Sequence, residues 1–439
     1  MDKKYNQKLN IFWFRRDLRL VDNRALDNAL EEGLPVLPLF IFDTNITDEL
    51  PGDDPRISFI HRKLSEIDKE LRKYGSALLV RKGDPDTIWR DLAGSYDINA
   101  VFINIDYEPY AIARDKKIEK ILSEKRIPLH SFRDQVIFEE NDIVKSDSKP
   151  YTVFTPYKNK WMQNFRQADT EPAALKTENK NLFKHNTVFP SLKEIGFRES
   201  RVNVRPFDLS VIKEYDKFRD FPADDRTSYL SPHLRFGTVS IREIVRIAVE
   251  QNQSFLSELI WREFFMQILY HYPHVVTDNF RRSYDDIRWR NDEEEFRRWC
   301  NGETGYPMVD AGMRQLNESG YMHNRVRMIT AGFLCKHLLI DWRWGEGYFA
   351  EKLLDYELSS NNGNWQWAAG TGCDAAPYFR VFNPETQQKK FDPKKEYIRR
   401  WIKEYGKSSY PEPMVDHDFA HRRAVDVYKA GLRKAVKLK

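Results

Sequence analysis

The chain has 439 residues, 41% of them hydrophobic and 31% charged, with 19 glycines and 21 prolines, a balance that fits two or three packed domains and excludes collagen-like or disordered chains. The formal net charge is only +4, but residues 1–140 carry 23 basic and 26 acidic side chains whereas residues 389–439 carry 15 and 7, so basic charge gathers late. Cys300, Cys335 and Cys373 are widely spaced without a CxxC pair and read as reduced packing residues rather than disulfide or zinc ligands.

Ile11–Phe14, Val36–Phe42, Ala77–Val80 and Ala100–Ile105 are apolar runs of strand length, the pattern of buried parallel strands. Between them Ile57, Ile60, Leu64, Ile67 and Leu71 recur at helical steps from Pro55 until Gly75, a stop signal. Strands alternating with helices predict a doubly wound, Rossmann-like parallel sheet over residues 8–135. The polar turn after Phe14 lacks both G-x-G-x-x-G and a phosphate-loop glycine-lysine pair, which excludes the usual dinucleotide and P-loop readings. Residues 136–205 lose periodicity and read as a surface connector away from the main chemistry. From 206 to 439 the pattern is helical, with segments at 240–249, 254–270, 293–300, 309–318, 322–337 and 347–354, and predicts an all-α domain.

No apolar run has the length of a membrane span, and the polar start MDKKYNQKLN lacks the plan of a secretory signal, so a cytoplasmic location is expected. Eight of the 11 tryptophans (261, 289, 299, 342, 344, 365, 367 and 401) fall in the helical part. Tyr215 and the hydroxyls of Thr227-Ser-Tyr-Leu-Ser231 precede a helix expected near Ser240; they suit a phosphate and serve equally as turn and capping residues. Glu258, Trp261 and Arg262 share one helical face, where a surface Glu–Arg pair is the ordinary explanation and a desolvated carboxyl that holds a proton is the functional one. His323 with Arg327, and Asn324 with Met328, stand four apart and suggest a pocket for a flat heteroaromatic ring rather than a metal. Asp355 to Pro384 packs amides and small residues around two tryptophans, a polar choice that suits a cofactor and substrate surface.

Taken together, FWFRRDLRL with DN, ELIWREFF, TGYPMVDAGMRQL, GYMHNRVRM, LLIDWR and NNGNWQWAAGTGCDAAPYFRVFNP resemble the photolyase and cryptochrome family, most of all the bacterial class I cyclobutane pyrimidine dimer photolyases, over residues 10–405. The resemblance implies an α/β antenna domain, a connector and a helical domain holding FAD, with the reduced flavin as the working state. It assigns Tyr215, Thr227, Ser228, Leu230 and Ser231 to the flavin phosphates and ribityl chain. Asn324, Arg327, Asp355 and Glu357 line the ring and adenine end, with Glu357 standing where some relatives have Asp, and Asn361 lies beside flavin N5. Glu258 and Met328 meet the dimer, Trp261 and Trp367 wall it, and Arg219, Arg325, Arg380 and Gln387 meet DNA. Trp365, Trp342 and Trp289 match a tryptophan chain for photoreduction.

The implied substrate is damaged DNA, whose dimer is extruded into an aromatic slot in a salt-sensitive complex. Glu108 matches a folate-antenna contact, yet its usual lysine partner has no match near residues 276–280, so folate, deazaflavin, a second flavin or an empty pocket all stay open. A (6-4) photolyase carries a second histidine where this chain has Asn324. A cryptochrome photoreceptor without repair activity is the alternative within the family, and a nucleotide-binding protein without a redox cofactor is the alternative outside it. No interface signal stands out, and a monomer is expected.

Overall fold

The computed structural model describes residues 5–172 and 181–437. By contact the chain divides into two units, Met1–Glu139 with Asn164–Pro206 and Leu230–Glu250, and Glu140–Gln163 with Phe207–Tyr229 and Gln251–Lys439. This departs from the expected bounds in two places: the connector is shared between the units, and residues 230–250 fall in the first.

The first unit is built on a parallel sheet of β1 (Tyr5–Phe14), β2 (Val36–Asp43), β3 (Leu79–Gly83), β4 (Tyr96–Asn104) and β5 (Leu129–Phe132), in the order β3-β2-β1-β4-β5. The direction reverses between β1 and β4, the crevice where open α/β sheets bind ligands. Side-chain alternation sends Leu9, Ile11 and Trp13 of β1 to one face, against Trp89, Leu92, Ile118 and Leu122. The helix expected from Pro55 spans Pro55–Arg72, capped by Asp54, and Gly75 adopts φ +74° just beyond it. Past the C-terminal ends of β1 and β5, Arg242 reaches both Asp22 and Asp134 and Arg19 reaches Asp134 at 2.6 Å, all four buried. Gly237 at φ +63° approaches the Arg16 carbonyl so closely that a Cβ would lie 2.1 Å from it, which leaves no room for a side chain.

The second unit is helical among its described residues. Helices Pro307–Ser319, Asn324–Gly332, Trp342–Lys352 and Leu358–Ala369 contribute to a core that includes Trp299, Trp342, Phe349 and Trp365. The segment expected as one helix over 322–337 divides: His323 caps Asn324–Gly332, which widens into a π-helical stretch Phe333–Leu338 ending at Leu339 with φ 52°. Gly345 permits the approach of helix Trp342–Lys352 to Trp365, whose ring would stand 2.1 Å from a Cβ there. The three cysteines are free and buried, as packing residues should be.

Candidate active site in the helical unit

Helix Gln253–His271 starts at Asn252, whose side chain accepts from the Phe255 amide, and carries Glu258, Trp261 and Arg262 on the face read from the sequence. Their partners lie on other elements. Glu258 meets Arg219 at 2.8 Å, each side chain about one third exposed, and Arg262 meets Glu357 at 3.2 Å. Burial raises the Glu258 pKa above the ordinary carboxylate range, while Arg219 pulls it back. Arg219 in turn lies over the Tyr215 ring at 5.0 Å, and Tyr215 packs edge-on to Phe255. Tyr215, Arg219 and Glu258 therefore form one contiguous cluster.

Trp261 stacks on Phe154, ring centroids 3.6 Å apart and planes within 8°. Part of the expected connector thus packs against the Trp261 helix: helix Phe154–Asn164 lies, but for its last residue, in the second unit, and its Tyr157 and Trp161 both donate to Glu263. Aromatic residues at 154, 157 and 161 are the helical-spacing signal for it.

On helix Asn324–Gly332, Arg325 pairs with Asp220 at 2.5 Å, lies 4.3 Å over Phe391 and points a nitrogen at Met328 sulfur, 3.9 Å away. Arg327 reaches Asp355 at 2.8 Å. Asn324, expected to line the flavin, is exposed at the first helical position. Glu357 is buried, and besides Arg262 it accepts from Ser360 at 2.9 Å. Asn361 gives its amide nitrogen to Glu346, both to the backbone oxygen at 3.1 Å and to Oε1 at 2.9 Å. With both amide hydrogens committed, its carbonyl oxygen is the face left for a ligand. Burial raises the pKa of Glu346, a residue with no local sequence signal, as is Asp220.

Trp365 and Trp342 are 2% and 1% exposed and share one core, with half-buried Trp289 packed against it. Trp367 and Gln387 are half-buried, and Arg380 is exposed, over the Phe382 ring at 5.4 Å. Thr227 and Ser228 are half-buried in the second unit; Leu230 is buried in the first, and Ser231 opens the short helix Ser231–Arg235. Glu108 also lies in the first unit, held by Arg16 at 3.0 Å and Arg235 at 3.6 Å. No group of histidine, cysteine and carboxylate side chains that could hold a metal occurs among the described residues.

The donor set fits a flavin: an amide oriented by its neighbour, an Arg–Asp pair, hydroxyls at 227 and 228, and the buried, unpartnered hydroxyl of Ser359 two residues before Asn361. Residues 255–409 match the family model described as the FAD binding domain of DNA photolyase, and residues 10–176 that of DNA photolyase. A deoxyribodipyrimidine photo-lyase of Halobacterium salinarum is 36% identical, covering 96% of this chain and 99% of the relative. An archaeal photolyase from Sulfolobus tokodaii, solved with two FAD molecules, superposes with TM-score 0.84 at 36% identity over 96% of this chain and 99% of that one. A Synechocystis cryptochrome superposes with TM-score 0.82 at 25% identity, over 97% and 100%.

Proposed function

The chain belongs to the DNA photolyase family, and from that premise we propose that it is a light-driven lyase that splits cyclobutane pyrimidine dimers in DNA. The reading rests on the Glu258–Arg219 pair: a carboxyl with a raised pKa, one third exposed, three residues from a tryptophan stacked on a second aromatic ring. The greater identity to photolyases, 36% against 25% for the cryptochrome, favours repair over photoreception.

Reduced FAD, when bound, supplies under blue light the electron that opens the cyclobutane ring. The residues that would hold it are Tyr215, Thr227, Ser228, Leu230, Ser231, Asn324, Arg327, Asp355, Glu357 and Asn361. Glu346 fixes the Asn361 amide so that its carbonyl oxygen can accept from an N–H at the ring edge, which favours the reduced form. Glu258 hydrogen-bonds the dimer and steadies negative charge there, Met328 packs beside it, and Trp261 and Trp367 take the place of the base stack the extruded bases have left. Arg219, Arg325, Arg380 and Gln387 meet the DNA, which makes binding salt-dependent. Trp365, Trp342 and Trp289 are the residues that would carry electrons toward a bound, oxidised flavin. Glu108 is the candidate antenna contact; the Sulfolobus photolyase with two FAD molecules is a precedent for a second chromophore, whose identity here is open. The reading extends to a cytoplasmic monomer; no helix among the described residues is long and apolar enough to cross a membrane.

The test is an anaerobic repair assay with purified protein, reductant and a thymine-dimer oligonucleotide under blue light, beside a dark control and a (6-4) oligonucleotide. Light-dependent recovery of the cyclobutane substrate alone supports the proposal. A flavin-bearing protein that repairs neither would be a photoreceptor.

A further inference from the structure

Trp365 shares its core with Trp342 of the expected chain and is in ring contact with another indole. Its ring meets that of Trp299 edge-on at 6.1 Å and 70°, and Trp299 meets Tyr348 at 5.9 Å and 65°. Trp299 is fully buried, whereas Tyr348 is half-buried, so these three rings run without a gap from the interior to the surface. They do so through helices Glu293–Asn301 and Trp342–Lys352, away from Trp289, which instead meets Tyr428.

We propose that the photoreduction path forks at Trp365, with Trp299 and Tyr348 as a second branch of electron carriers beside Trp342 and Trp289. The inference rests on the reading that flavin binds within electron-transfer reach of Trp365.

The chemistry of the neighbours supports the branch. Trp299 donates its indole N–H to the Thr330 carbonyl at 3.1 Å, and that bond stabilises the positive charge left when an electron departs. Trp342 makes a comparable bond, to Asn279 at 2.9 Å, but carries the Arg343 guanidinium 4.7 Å over its ring, and a cation there disfavours the oxidised indole. The Lys352 ammonium lies 5.5 Å over the Tyr348 ring, so Tyr348 loses its electron together with its phenolic proton.

The electrons balance as follows. Trp365 gives one electron to photoexcited oxidised flavin, Trp299 gives one to the Trp365 cation radical, and Tyr348 gives one to the Trp299 cation radical. Tyr348 releases its proton to solvent and becomes a neutral radical. An added thiol returns one electron, and solvent returns the proton.

The experiment follows photoreduction of the flavin-loaded protein with thiol present, normalised to bound flavin, with transient absorption and electron paramagnetic resonance to identify radicals. Trp342→Phe is expected to retain measurable photoreduction and to accumulate a tyrosyl radical. Adding Trp299→Phe should lower the rate by a further factor of roughly ten or more. Because Trp299 fills the core, Tyr348→Phe in the Trp342→Phe background is the gentler check, since it keeps the ring and should remove the tyrosyl signal. The fork is overturned if Trp342→Phe alone falls to the level of Trp365→Phe, if no tyrosyl radical forms, or if neither added substitution changes anything. Undiminished photoreduction in Trp365→Phe is a different result, which overturns the underlying reading of Trp365 together with the fork.

Discussion

Arg242 and Arg219 each pair with a carboxylate, and their surroundings give them opposite uses. In the α/β unit Arg242 is 1% exposed and answers two buried aspartates, Asp22 and Asp134, the second also bound by Arg19. Charges so completely withdrawn from water are held only by one another, and such a network is architecture. In the helical unit Arg219–Glu258 and Arg325–Asp220 remain 21–38% exposed at their side chains. Pairs of that kind lose little when exchanged for a phosphate or a base edge, so they are available for substrate.

The largest effect that separates these roles is on stability. Arg242→Met leaves Asp22 without its guanidinium and should cost about 3–5 kcal/mol, read from the denaturant midpoint. Arg325→Met should cost less than about 1 kcal/mol while weakening DNA binding and flattening its salt dependence. Equal losses of stability would erase the distinction.

Next comes chemistry. Glu258→Ala should retain flavin and slow repair roughly ten- to hundredfold, the worth of one hydrogen bond to a charged group, with Glu258→Gln in between; undiminished repair removes the role assigned to Glu258. Glu346→Leu removes the side-chain half of the Asn361 amide's hold and leaves the bond to the residue 346 backbone oxygen, and reduced flavin in that variant should reoxidise in air several-fold faster, about 1 kcal/mol of lost preference; an unchanged rate would show that the backbone bond alone orients Asn361.

Much of this was readable in the chain. Four strands announced themselves as apolar runs, whereas β5, only Leu129–Phe132 and partly exposed at the sheet edge, has too few buried positions to show a pattern. Helix Leu358–Ala369 was hidden for a different reason: it is built largely from serine, asparagine, glycine and tryptophan, as the proposed cofactor site would require, and such a sequence has no apolar stripe. Glu258 and Arg327 were visible as polar residues at helical spacing among apolar ones. Their settings were not, because Asp220, Glu346 and Phe154 approach from remote parts of the sequence, and tertiary pairing leaves no periodic trace.

The last effect concerns His323, which is buried like the residues of the α/β network. It caps its helix by accepting from the Arg325 amide at 3.2 Å, which requires a neutral ring nitrogen. Burial lowers its pKa to about 4, against about 6.5 in an unfolded chain. Between those values the unfolded chain binds the proton that the folded one refuses, so stability falls as pH is lowered from about 6.5 to about 4 and is steady below. The loss should be on the order of 3 kcal/mol. His323→Asn retains a capping acceptor and removes the titration, so the slope of unfolding midpoint against pH should shrink across that window while the value near neutrality holds. An unchanged slope would mean that His323 takes up its proton in the folded state, and would place it with the exposed, exchangeable charges of the site.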